Sequence, residues 1–592
     1  MVSKGSTRSE TMLKGIGVSP GIVVGPARVL LPDAKRVGSR AIETEDVAHE
    51  CERFRVALRE TRAQLLHIRK QVAEVLDDEH ARIFDAHMLV VEDELLVGEV
   101  EQAIEAERLN VEPLLQRIAT QYADKLAGLE DQYLAERATD IRDVTRRVLA
   151  NLAEETVESL RDIETPCVLV SNDLLPSDTA GLDREKVRAF ITDLGSASSH
   201  TAIMARALNV PAVVGLRSAT VAVHPDDRIL VDGARGVVFV CPSEERLSEY
   251  AERSRNQEEI RQELDLLRDK PPETLDGYHV PLTANIELLE ELEGVDAGGA
   301  KGIGLYRTEF LFLGAKTLPG EEEQVEAYVQ AATSQFPAPV VIRTLDLGAD
   351  KMPDALEGRR EMNPFLGHRA IRLCLGRPAL FRTQLRAILR ASVHENVRLM
   401  YPMVTGVAEV KAANALLQDC MNELTEEGVA FNREIEVGTM IEVPSAALVA
   451  DKIAPHVSFF SLGTNDLIQY TMAVDRGNED VAHLYQPTNL AVIRLIDHVV
   501  KICRRFGLWS SVCGQMASTP HLVPLLVGLG VDELSVSPLQ APVIKDVIRK
   551  LYYADAVALA QRALISDTPE EVEAHCVNMI VDVAPEVLAL TE

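Results

Sequence analysis

The sequence predicts a multidomain α/β protein, in which a mixed α/β domain with an inserted helical subdomain is followed by a (β/α)₈ barrel. The chain has 592 residues, which is enough for several domains of about 150 residues each. From residue 41 to residue 159, a helical pattern with very little glycine or proline interrupts a strand-rich region. After residue 273, short apolar runs alternate with longer helical stretches, which is typical of repeated βα units around a parallel sheet.

The mixed α/β domain is predicted in two pieces, residues 13–40 and 160–242. The first piece carries glycines and prolines between short apolar segments, as strands joined by tight turns do. The second piece contains five predicted strands, which are residues 167–170, 187–192, 210–214, 228–231 and 237–240. We therefore expect one domain that is built from both pieces.

The inserted helical subdomain, residues 41–159, has Pro113 as its only proline. Its apolar residues recur at helical spacings, and helices are predicted over residues 81–97, 111–129 and 131–152. The subdomain is also acidic, because residues 41–160 contain 28 Asp and Glu but only 14 Lys and Arg. A basic protein partner that docks there would explain this excess through electrostatic steering, and solvated helix faces on an acidic chain would explain it as well.

A charge-rich linker helix, residues 243–272, is predicted to separate the first domain from the barrel, residues 273–592. Eight apolar runs are the predicted barrel strands, and they are residues 280–286, 302–306, 340–342, 397–401, 435–441, 457–461, 508–512 and 533–536. A barrel of this kind has its active site at the carboxyl ends of the strands. The residues that follow each run are therefore candidates for a functional site.

Polar side chains do follow most of these runs. Three of them are arginines, Arg307, Arg343 and Arg476, which suit a multiply anionic substrate. Two carboxylates from separate strands, Glu442 and Asp466, suit a hard cation such as Mg²⁺. Surface ion pairs and helix caps are the alternative for each residue alone, but their shared position at strand ends favours a site.

Asn465 and Cys513 also stand at the ends of predicted strands. A free cysteine is usually a small buried hydrophobic residue. Beside a glycine at a strand end, the Cys513 thiol is also a candidate proton donor.

His200 is predicted to lie at the start of a helix, shortly after the strand at residues 187–192. The unpaired backbone N–H groups of a helix N-terminus, together with the hydroxyls of Ser198, Ser199 and Thr201, would form an anion site. A phosphate attached to the imidazole would be stabilised there. The alternative is that Ser198 or Ser199 only caps the helix and that His200 is an exposed residue of its first turn.

The composition disfavours several classes of function. A net charge of −31 disfavours nucleic acid and anionic membranes as partners. No apolar run approaches the roughly 18 residues of a membrane helix, so membrane insertion is not expected. The first eleven residues lack the apolar core of a secretion signal, which predicts a cytoplasmic location. Eight scattered cysteines without a C-x-x-C pair argue against a disulfide framework and a zinc cluster.

From about Leu13 to the carboxyl end, the chain resembles enzyme I of the bacterial phosphoenolpyruvate-dependent sugar phosphotransferase system. The resemblance is carried by the histidine segment, residues 195–206, and by a second signature at residues 451–467. Further similar stretches are residues 304–311, residues 363–367 with Arg369, residues 470–478, residues 87–94 and residues 133–143.

The resemblance implies the roles of particular residues. It makes His200 the residue that accepts a phosphoryl group from phosphoenolpyruvate on Nε2, Cys513 the proton donor to the enolate that becomes pyruvate, and Glu442 and Asp466 the Mg²⁺ ligands. The substrate-binding residues that it implies are Arg307, Arg343, Asn465, Asp466 and Arg476, together with Lys351 and Arg369. It also implies that the helical subdomain binds a small histidine phosphocarrier protein in the first step of sugar transport, and that the barrel forms a homodimer.

The chain departs from the usual enzyme I pattern at Ser196, Ala197 and Ser198 in the histidine loop, and at Gln515, where glutamate is usual. Two other functions are weighed against the enzyme I reaction. A regulatory phosphoprotein that has lost catalysis is disfavoured because the strand-end residues are retained. An enzyme like pyruvate,phosphate dikinase is disfavoured because no Gly-rich ATP loop precedes the histidine segment.

Overall fold

The computed structural model describes residues 10–30, 38–75, 83–127, 132–153, 163, 165–174, 186–195, 199–207, 210–312, 318–348, 363–476, 478 and 480–587. The chain divides into two compact units, Met1–Asn256 and Gln257–Thr591. The division falls inside a long helix, Glu244–Asp265, which lies within the predicted linker. Among the described helices, none combines the length and the apolar character that crossing a membrane requires.

The first unit contains a mixed eight-stranded sheet in the order β1-β8-β7-β3-β4-β5-β6-β2. Its strands are β1 (Thr11–Lys14), β2 (Ile16–Ser19), β3 (Ile22–Leu30), β4 (Cys167–Ser171), β5 (Val187–Thr192), β6 (Ala212–Val214), β7 (Arg228–Asp232) and β8 (Val237–Val240). Strands β3 to β6 run parallel to one another, and the remaining pairings are antiparallel. Both sequence pieces of the mixed domain therefore contribute to one sheet.

The helices of the first unit are α1 (Val47–Val75), α2 (Ile83–Val91), α3 (Glu94–Glu107), α4 (Val111–Ala127), α5 (Gln132–Leu152), α6 (His200–Ala207) and α7 (Ala219–Ala222), with α8 (Glu244–Asp265) crossing into the second unit. Helices α1 to α5 leave the sheet after β3 and precede β4. They bury a core of their own, which includes Phe54, Leu65 and Ile104.

The prediction of one continuous helix over residues 81–97 was wrong. The structure ends α2 at Val91 and begins α3 at Glu94. Between them, Asp93 has an extended backbone, and its carboxylate accepts hydrogen bonds from the backbone N–H groups of Leu95 and Leu96. An aspartate in this position is an N-cap, which starts a new helix rather than continuing the old one.

The second unit is built on a closed barrel of eight parallel strands. Its strands are β9 (Leu282–Ile286), β10 (Ile303–Arg307), β11 (Val340–Arg343), β12 (Val397–Tyr401), β13 (Val437–Ile441), β14 (Phe459–Leu462), β15 (Trp509–Val512) and β16 (Glu533–Val536). Pairing between β16 and β9 closes the barrel. Each predicted apolar run contains or overlaps one of these strands, so the multidomain α/β fold with a (β/α)₈ barrel is confirmed.

Helices surround the barrel and enclose a large apolar core. They are α9 (Leu292–Ala297), α10 (Glu321–Gln335), α11 (Ala370–Gly376), α12 (Pro378–Ala391), α13 (Val407–Glu426), α14 (Pro444–Leu448), α15 (Ala450–Ile453), α16 (Thr464–Met472), α17 (Leu490–Phe506), α18 (Val523–Leu529), α19 (Ala541–Lys550), α20 (Tyr553–Ile565) and α21 (Pro569–Val583). A separate buried cluster takes one side chain from each of five neighbouring barrel strands, and these are Leu305, Val341, Met400, Met440 and Phe459.

Gly528, in α18, lies against the backbone of α20. A Cβ added at Gly528 would lie 1.9 Å from the backbone oxygen of Ala556, so the two helices would have to separate. We expect Gly528→Ala to lower the free energy of unfolding by about 1–3 kcal/mol, the usual cost of overpacking. Gly98, inside α3, has no atom within 4 Å of an added Cβ. Gly98→Ala should therefore be neutral or stabilising by up to about 1 kcal/mol. Calorimetry of both variants against the parent measures this contrast, and equal effects would contradict it.

Glu533 is a buried carboxyl at the start of β16, and it accepts a hydrogen bond from Thr283 Oγ1 at 3.1 Å. Burial raises its pKa to about 7, although Arg398 acts in the opposite direction. A raised pKa in the folded state stabilises the protein at low pH, and this contribution disappears as the pH rises through 7. Between pH 5.5 and pH 8 we expect the parent to lose roughly 2 kcal/mol more stability than Glu533→Gln, which keeps the acceptor but carries no charge. Urea denaturation at both pH values tests this, and parallel pH profiles would contradict it.

Candidate active site

A cavity of about 300 Å³ opens at the carboxyl ends of the barrel strands. Eight predicted site residues line it, and they are Arg307, Arg343, Arg369, Glu442, Asn465, Asp466, Arg476 and Cys513. Lys351 and the side chain of His200 lie outside the described residues. The eight predicted residues therefore lie together around one cavity and are not scattered over the surface.

Three carboxylates form a cluster in this cavity that could hold a cation. One oxygen from each of Asp346, Glu442 and Asp466 lies within 4.8 Å of the others. Burial and the two neighbouring carboxylates raise the pKa of Glu442 to about 8. Three converging carboxylates whose negative charge is not fully compensated are the donor set that a hard divalent cation such as Mg²⁺ prefers. The residues present therefore fit the predicted metal.

Asp346 was not among the predicted metal ligands. It lies three residues beyond β11, in a loop rather than directly at the strand end. Its carboxylate also pairs with two arginines, Arg343 at 3.1 Å and Arg369 at 2.8 Å. The one sequence signal was its place in the polar stretch after the third apolar run.

Arg343 and Arg369 are both largely buried, and carboxylates hold both of them in place. Arg343 contacts Glu309 at 3.0 Å in addition to Asp346. Arg369 lies 3.6 Å from Asp466, and its guanidinium also donates a hydrogen bond of 3.4 Å to Tyr470 Oη. Burial lowers the pKa of each arginine, but the surrounding carboxylates outweigh this effect and raise it overall. Both guanidinium groups therefore stay charged beside the carboxylate cluster.

Arg307 and Arg476 are the more exposed arginines of the cavity. The Arg307 guanidinium pairs with Glu287. Arg476 lies 3.9 Å from Asp466, and its side chain is 46% exposed. Because a 3.9 Å pair at the surface is weak, the contact with Asp466 does little to hold Arg476 away from an anion in the cavity.

Cys513 follows β15 directly and lines the cavity. Ser461 Oγ donates a hydrogen bond to the Cys513 sulfur at 3.2 Å. Burial raises the pKa of the thiol, so the protonated form is favoured near neutral pH. A thiol that holds its proton in a cavity lined by arginines is suited to proton donation.

The neighbourhood of Cys513 is closely packed. The backbone N–H of Gln515 donates a hydrogen bond of 2.8 Å to the Asn465 side chain. A Cβ at Gly514 would lie 1.9 Å from Thr464 Oγ1, and one at Gly463 would lie 2.8 Å from a Glu442 carboxylate oxygen. Gly514 lets the loops after β15 and β14 approach each other, and Gly463 lets the loop after β14 approach Glu442 after β13. Glu442, Asp466 and Cys513 therefore reach the same cavity.

The helix that begins at His200, α6, has its N-terminus anchored by its neighbours. Ser199 Oγ accepts a hydrogen bond from the backbone N–H of Ala202 at 3.4 Å, as an N-cap does. Thr201 is buried, and its hydroxyl donates to the backbone oxygen of Leu174 at 3.0 Å. The expectation that the Thr201 hydroxyl contributes to an anion site was therefore wrong, because this hydroxyl fixes the helix to the loop after β4. Residues 196–198 lie outside the described part of the chain.

The arrangement in the barrel suits one kind of chemistry. A divalent cation on the carboxylate cluster and the surrounding arginines would bind a substrate with several anionic oxygens. The Cys513 thiol would supply a proton to a carbon or oxygen atom of that substrate.

Family profiles match three successive parts of the chain. They are described as PEP-utilising enzyme, N-terminal, over residues 14–137, PEP-utilising enzyme, mobile domain, over residues 163–236, and PEP-utilising enzyme, PEP-binding domain, over residues 261–553. The cavity lies within the third match, and His200 lies within the second.

Several curated relatives, each named phosphoenolpyruvate-protein phosphotransferase, are similar over nearly the whole chain. The protein of Listeria monocytogenes is 44% identical over 95% of this chain and 98% of its own length. The protein of Staphylococcus carnosus is 43% identical over 95% of this chain and 97% of its own. The protein of Geobacillus stearothermophilus is 43% identical over 96% of this chain and 98% of its own. On this similarity, the chain belongs to the phosphoenolpyruvate-protein phosphotransferase family.

Proposed function

We propose that this enzyme, a phosphoenolpyruvate-protein phosphotransferase, takes the phosphoryl group of phosphoenolpyruvate onto His200 and passes it to a histidine of a small phosphocarrier protein. This transfer is the first step of sugar phosphotransferase transport. The observation that carries the proposal is the single cavity that is lined by the carboxylate cluster, the arginines and Cys513.

Phosphoenolpyruvate carries a carboxylate and a phosphate, and the charges in the cavity complement both. We assign Arg307, Arg343, Arg369 and Arg476, with Asn465 and Lys351, to substrate binding. Asp346, Glu442 and Asp466 would hold Mg²⁺, which when bound screens the negative charge of the substrate oxygens. The buried pair of Arg343 with Asp346 keeps this guanidinium oriented before the substrate arrives, which reduces the entropy lost on binding.

The reaction divides into a phosphoryl transfer and a proton transfer. The bond between phosphorus and the enol oxygen breaks while a bond to the neutral His200 imidazole forms, with the charge stabilised by the cavity arginines. The enolate then takes the thiol proton of Cys513 at carbon three and becomes pyruvate. The thiolate that remains recovers its proton from water.

His200 and the cavity belong to different units of the chain. The transfer therefore requires His200 to reach the cavity while it is phosphorylated and to reach the carrier afterwards. We propose that residues 13–40 and 160–242 form the phosphohistidine domain, that residues 243–272 are its linker, and that residues 273–592 are the phosphoenolpyruvate-binding domain.

The helical subdomain, residues 41–159, is the proposed docking surface for the carrier. Its independent core supports a surface that can bind a partner without disturbing the sheet. Its acidic excess would attract a carrier with a basic face.

Exposed apolar side chains of the barrel unit, including Leu366 and Leu448, support a homodimer through that unit. Sedimentation at several concentrations would detect the dimer. The cytoplasmic location stays a prediction of the sequence.

The deciding experiment incubates the protein with labelled phosphoenolpyruvate and Mg²⁺ in the absence of ATP. We expect an acid-labile phosphate on the protein, together with release of one pyruvate per phosphate. A purified histidine carrier should then remove the label. Labelling by ATP instead of phosphoenolpyruvate would support a dikinase-like enzyme, and no labelling by either would support a regulatory protein without catalysis.

A further inference from the structure

A pair of buried serine hydroxyls lies directly behind the Cys513 sulfur. Ser511 Oγ donates a hydrogen bond to Ser461 Oγ at 2.9 Å, and Ser461 Oγ donates to Cys513 Sγ at 3.2 Å. The two serines face each other across the adjacent strands β15 and β14. All three side chains are at most 3% exposed. The hydrogen bonds therefore form a short chain that points at the sulfur from inside the barrel.

The thiol also has an acceptor for its own proton. The backbone oxygen of Leu462 lies 3.8 Å from Cys513 Sγ, within reach of a thiol donor. With one donor and one acceptor in fixed positions, the sulfur has a defined orientation before the reaction. When the proton leaves, the bond to Leu462 is lost, but the bond from Ser461 becomes a charge-assisted one and is strengthened.

The charged groups around Cys513 do not replace the hydrogen bond from Ser461 in stabilising the thiolate. Burial raises the pKa of the thiol, and the nearby carboxylate of Glu442 acts in the same direction. The bond from Ser461 and the charges of Arg343 and Arg307 oppose that effect. Arg343 and Arg307 are assigned to substrate binding. When phosphoenolpyruvate is bound, its anionic groups neutralise part of their charge, so the two arginines stabilise the thiolate less. Of these three described side chains, Ser461 is the one that donates a hydrogen bond to the sulfur.

We propose that Ser461, backed by Ser511, is a positioning residue that orients the Cys513 thiol and stabilises the thiolate left after the proton passes to the enolate. This inference rests on the proposed role of Cys513 as the proton donor. In the step itself, the S–H bond breaks, the C–H bond of pyruvate forms, and the negative charge moves from the enolate to the sulfur. Ser461 keeps its own proton throughout.

The test compares Ser461→Ala and Ser511→Ala with a matched control, Ser510→Ala. Ser510 lies on the same strand and is equally buried, but its hydroxyl bonds to Asp532 at 2.8 Å instead of to the sulfur pathway. All three variants lose one buried hydroxyl, so a loss of general packing would affect them alike. Calorimetry on each variant shows whether it folds as the parent does.

The first measurement is the pKa of the Cys513 thiol. It is obtained from the rate of alkylation by iodoacetamide as a function of pH, and mass spectrometry identifies the cysteine that is modified. We expect Ser461→Ala to raise this pKa by about one unit, because a hydrogen bond to a charged group is lost. Ser511→Ala should produce a smaller shift in the same direction, and Ser510→Ala should leave the pKa unchanged. An unchanged pKa in a folded Ser461→Ala protein would overturn the inference.

The second measurement is the exchange of the pyruvate methyl hydrogens with D₂O in the presence of Mg²⁺, which requires the thiolate to remove a proton. Below the thiol pKa, Ser461→Ala should slow this exchange roughly threefold to tenfold, since the lower thiolate fraction is only partly offset by its greater basicity. Cys513→Ala serves as the reference for the proton donor itself. If Cys513→Ala exchanges as fast as the parent, the proposed role of Cys513 is wrong. If Cys513→Ala slows the exchange but Ser461→Ala exchanges as fast as the parent, the proposed role of Cys513 stands and the positioning role of Ser461 is wrong.

Discussion

The His200→Ala variant should take up no phosphate from phosphoenolpyruvate and should pass none to a histidine carrier. The reason is that the imidazole supplies the nitrogen that forms the bond to phosphorus, and a methyl group has no such atom. We expect the yield of acid-labile label to fall by at least about 10³-fold, as in enzymes that lose their nucleophile. Filter binding with labelled phosphoenolpyruvate measures this directly.

The same variant should still bind phosphoenolpyruvate with Mg²⁺, because the cavity lies in the other unit of the chain. Isothermal titration therefore separates a lost acceptor from a misfolded protein. The control is His224→Ala, which removes an exposed histidine from the same unit. A His200→Ala protein that labels like the parent would show that another residue carries the phosphate.

The Glu442→Gln variant should lose most of its response to Mg²⁺. It removes one of three converging carboxylate donors but keeps nearly the same volume, so packing around the buried side chain is little changed. We expect the rate of pyruvate release in a single turnover to fall by on the order of 10²–10³-fold, the range seen when one electrostatic contact to a transition state is removed. Rapid mixing with phosphoenolpyruvate measures the rate, and titration with Mn²⁺ followed by electron paramagnetic resonance measures the cation affinity.

Asp346→Asn provides an independent check of the same cluster. It should weaken cation binding and also loosen Arg343 and Arg369, which share the Asp346 carboxylate. Asp497→Asn is the matched control, because Asp497 pairs with Lys501 on the outer helix α17, away from the cavity. If Glu442→Gln and Asp346→Asn bind the cation as tightly as Asp497→Asn does, the cluster is not the metal site.

The sequence located much of this cavity for a geometric reason. In a closed parallel barrel, the carboxyl ends of all strands meet at one rim. A residue such as Glu442, directly after its strand, therefore has a predictable position once the strand is recognised. Arg369 and Arg476 do not follow a strand directly. Arg369 entered through the family resemblance, and for Arg476 only its nearness to the sixth strand placed it at the rim.

The remaining features depended on contacts that no local pattern encodes. Asp346 belongs to the cluster although it lies beyond the end of β11, where it pairs with Arg343 and Arg369. Ser461 is a polar residue in an apolar run until its partner on β15 is known. From the sequence alone, the Thr201 hydroxyl was expected to bind a phosphate. In the structure it donates a hydrogen bond to the backbone oxygen of Leu174. The break at Asp93 was a local signal, since aspartate is a favoured N-cap, but it lay between two segments with the same helical periodicity.

Strands β3 and β4 are hydrogen-bonded neighbours in the first sheet, although the chain forms helices α1 to α5 between them. Because the two strands are parallel, the chain leaves the pair at the end of β3 and returns at the opposite end, at the start of β4, and none of these helices takes part in the sheet. The sheet that supports the phosphorylated helix and the helices proposed to bind the carrier can therefore evolve separately. Substitutions on the surface of the helical subdomain could change which carrier is bound, while the strands that support the phosphorylated helix stay unchanged.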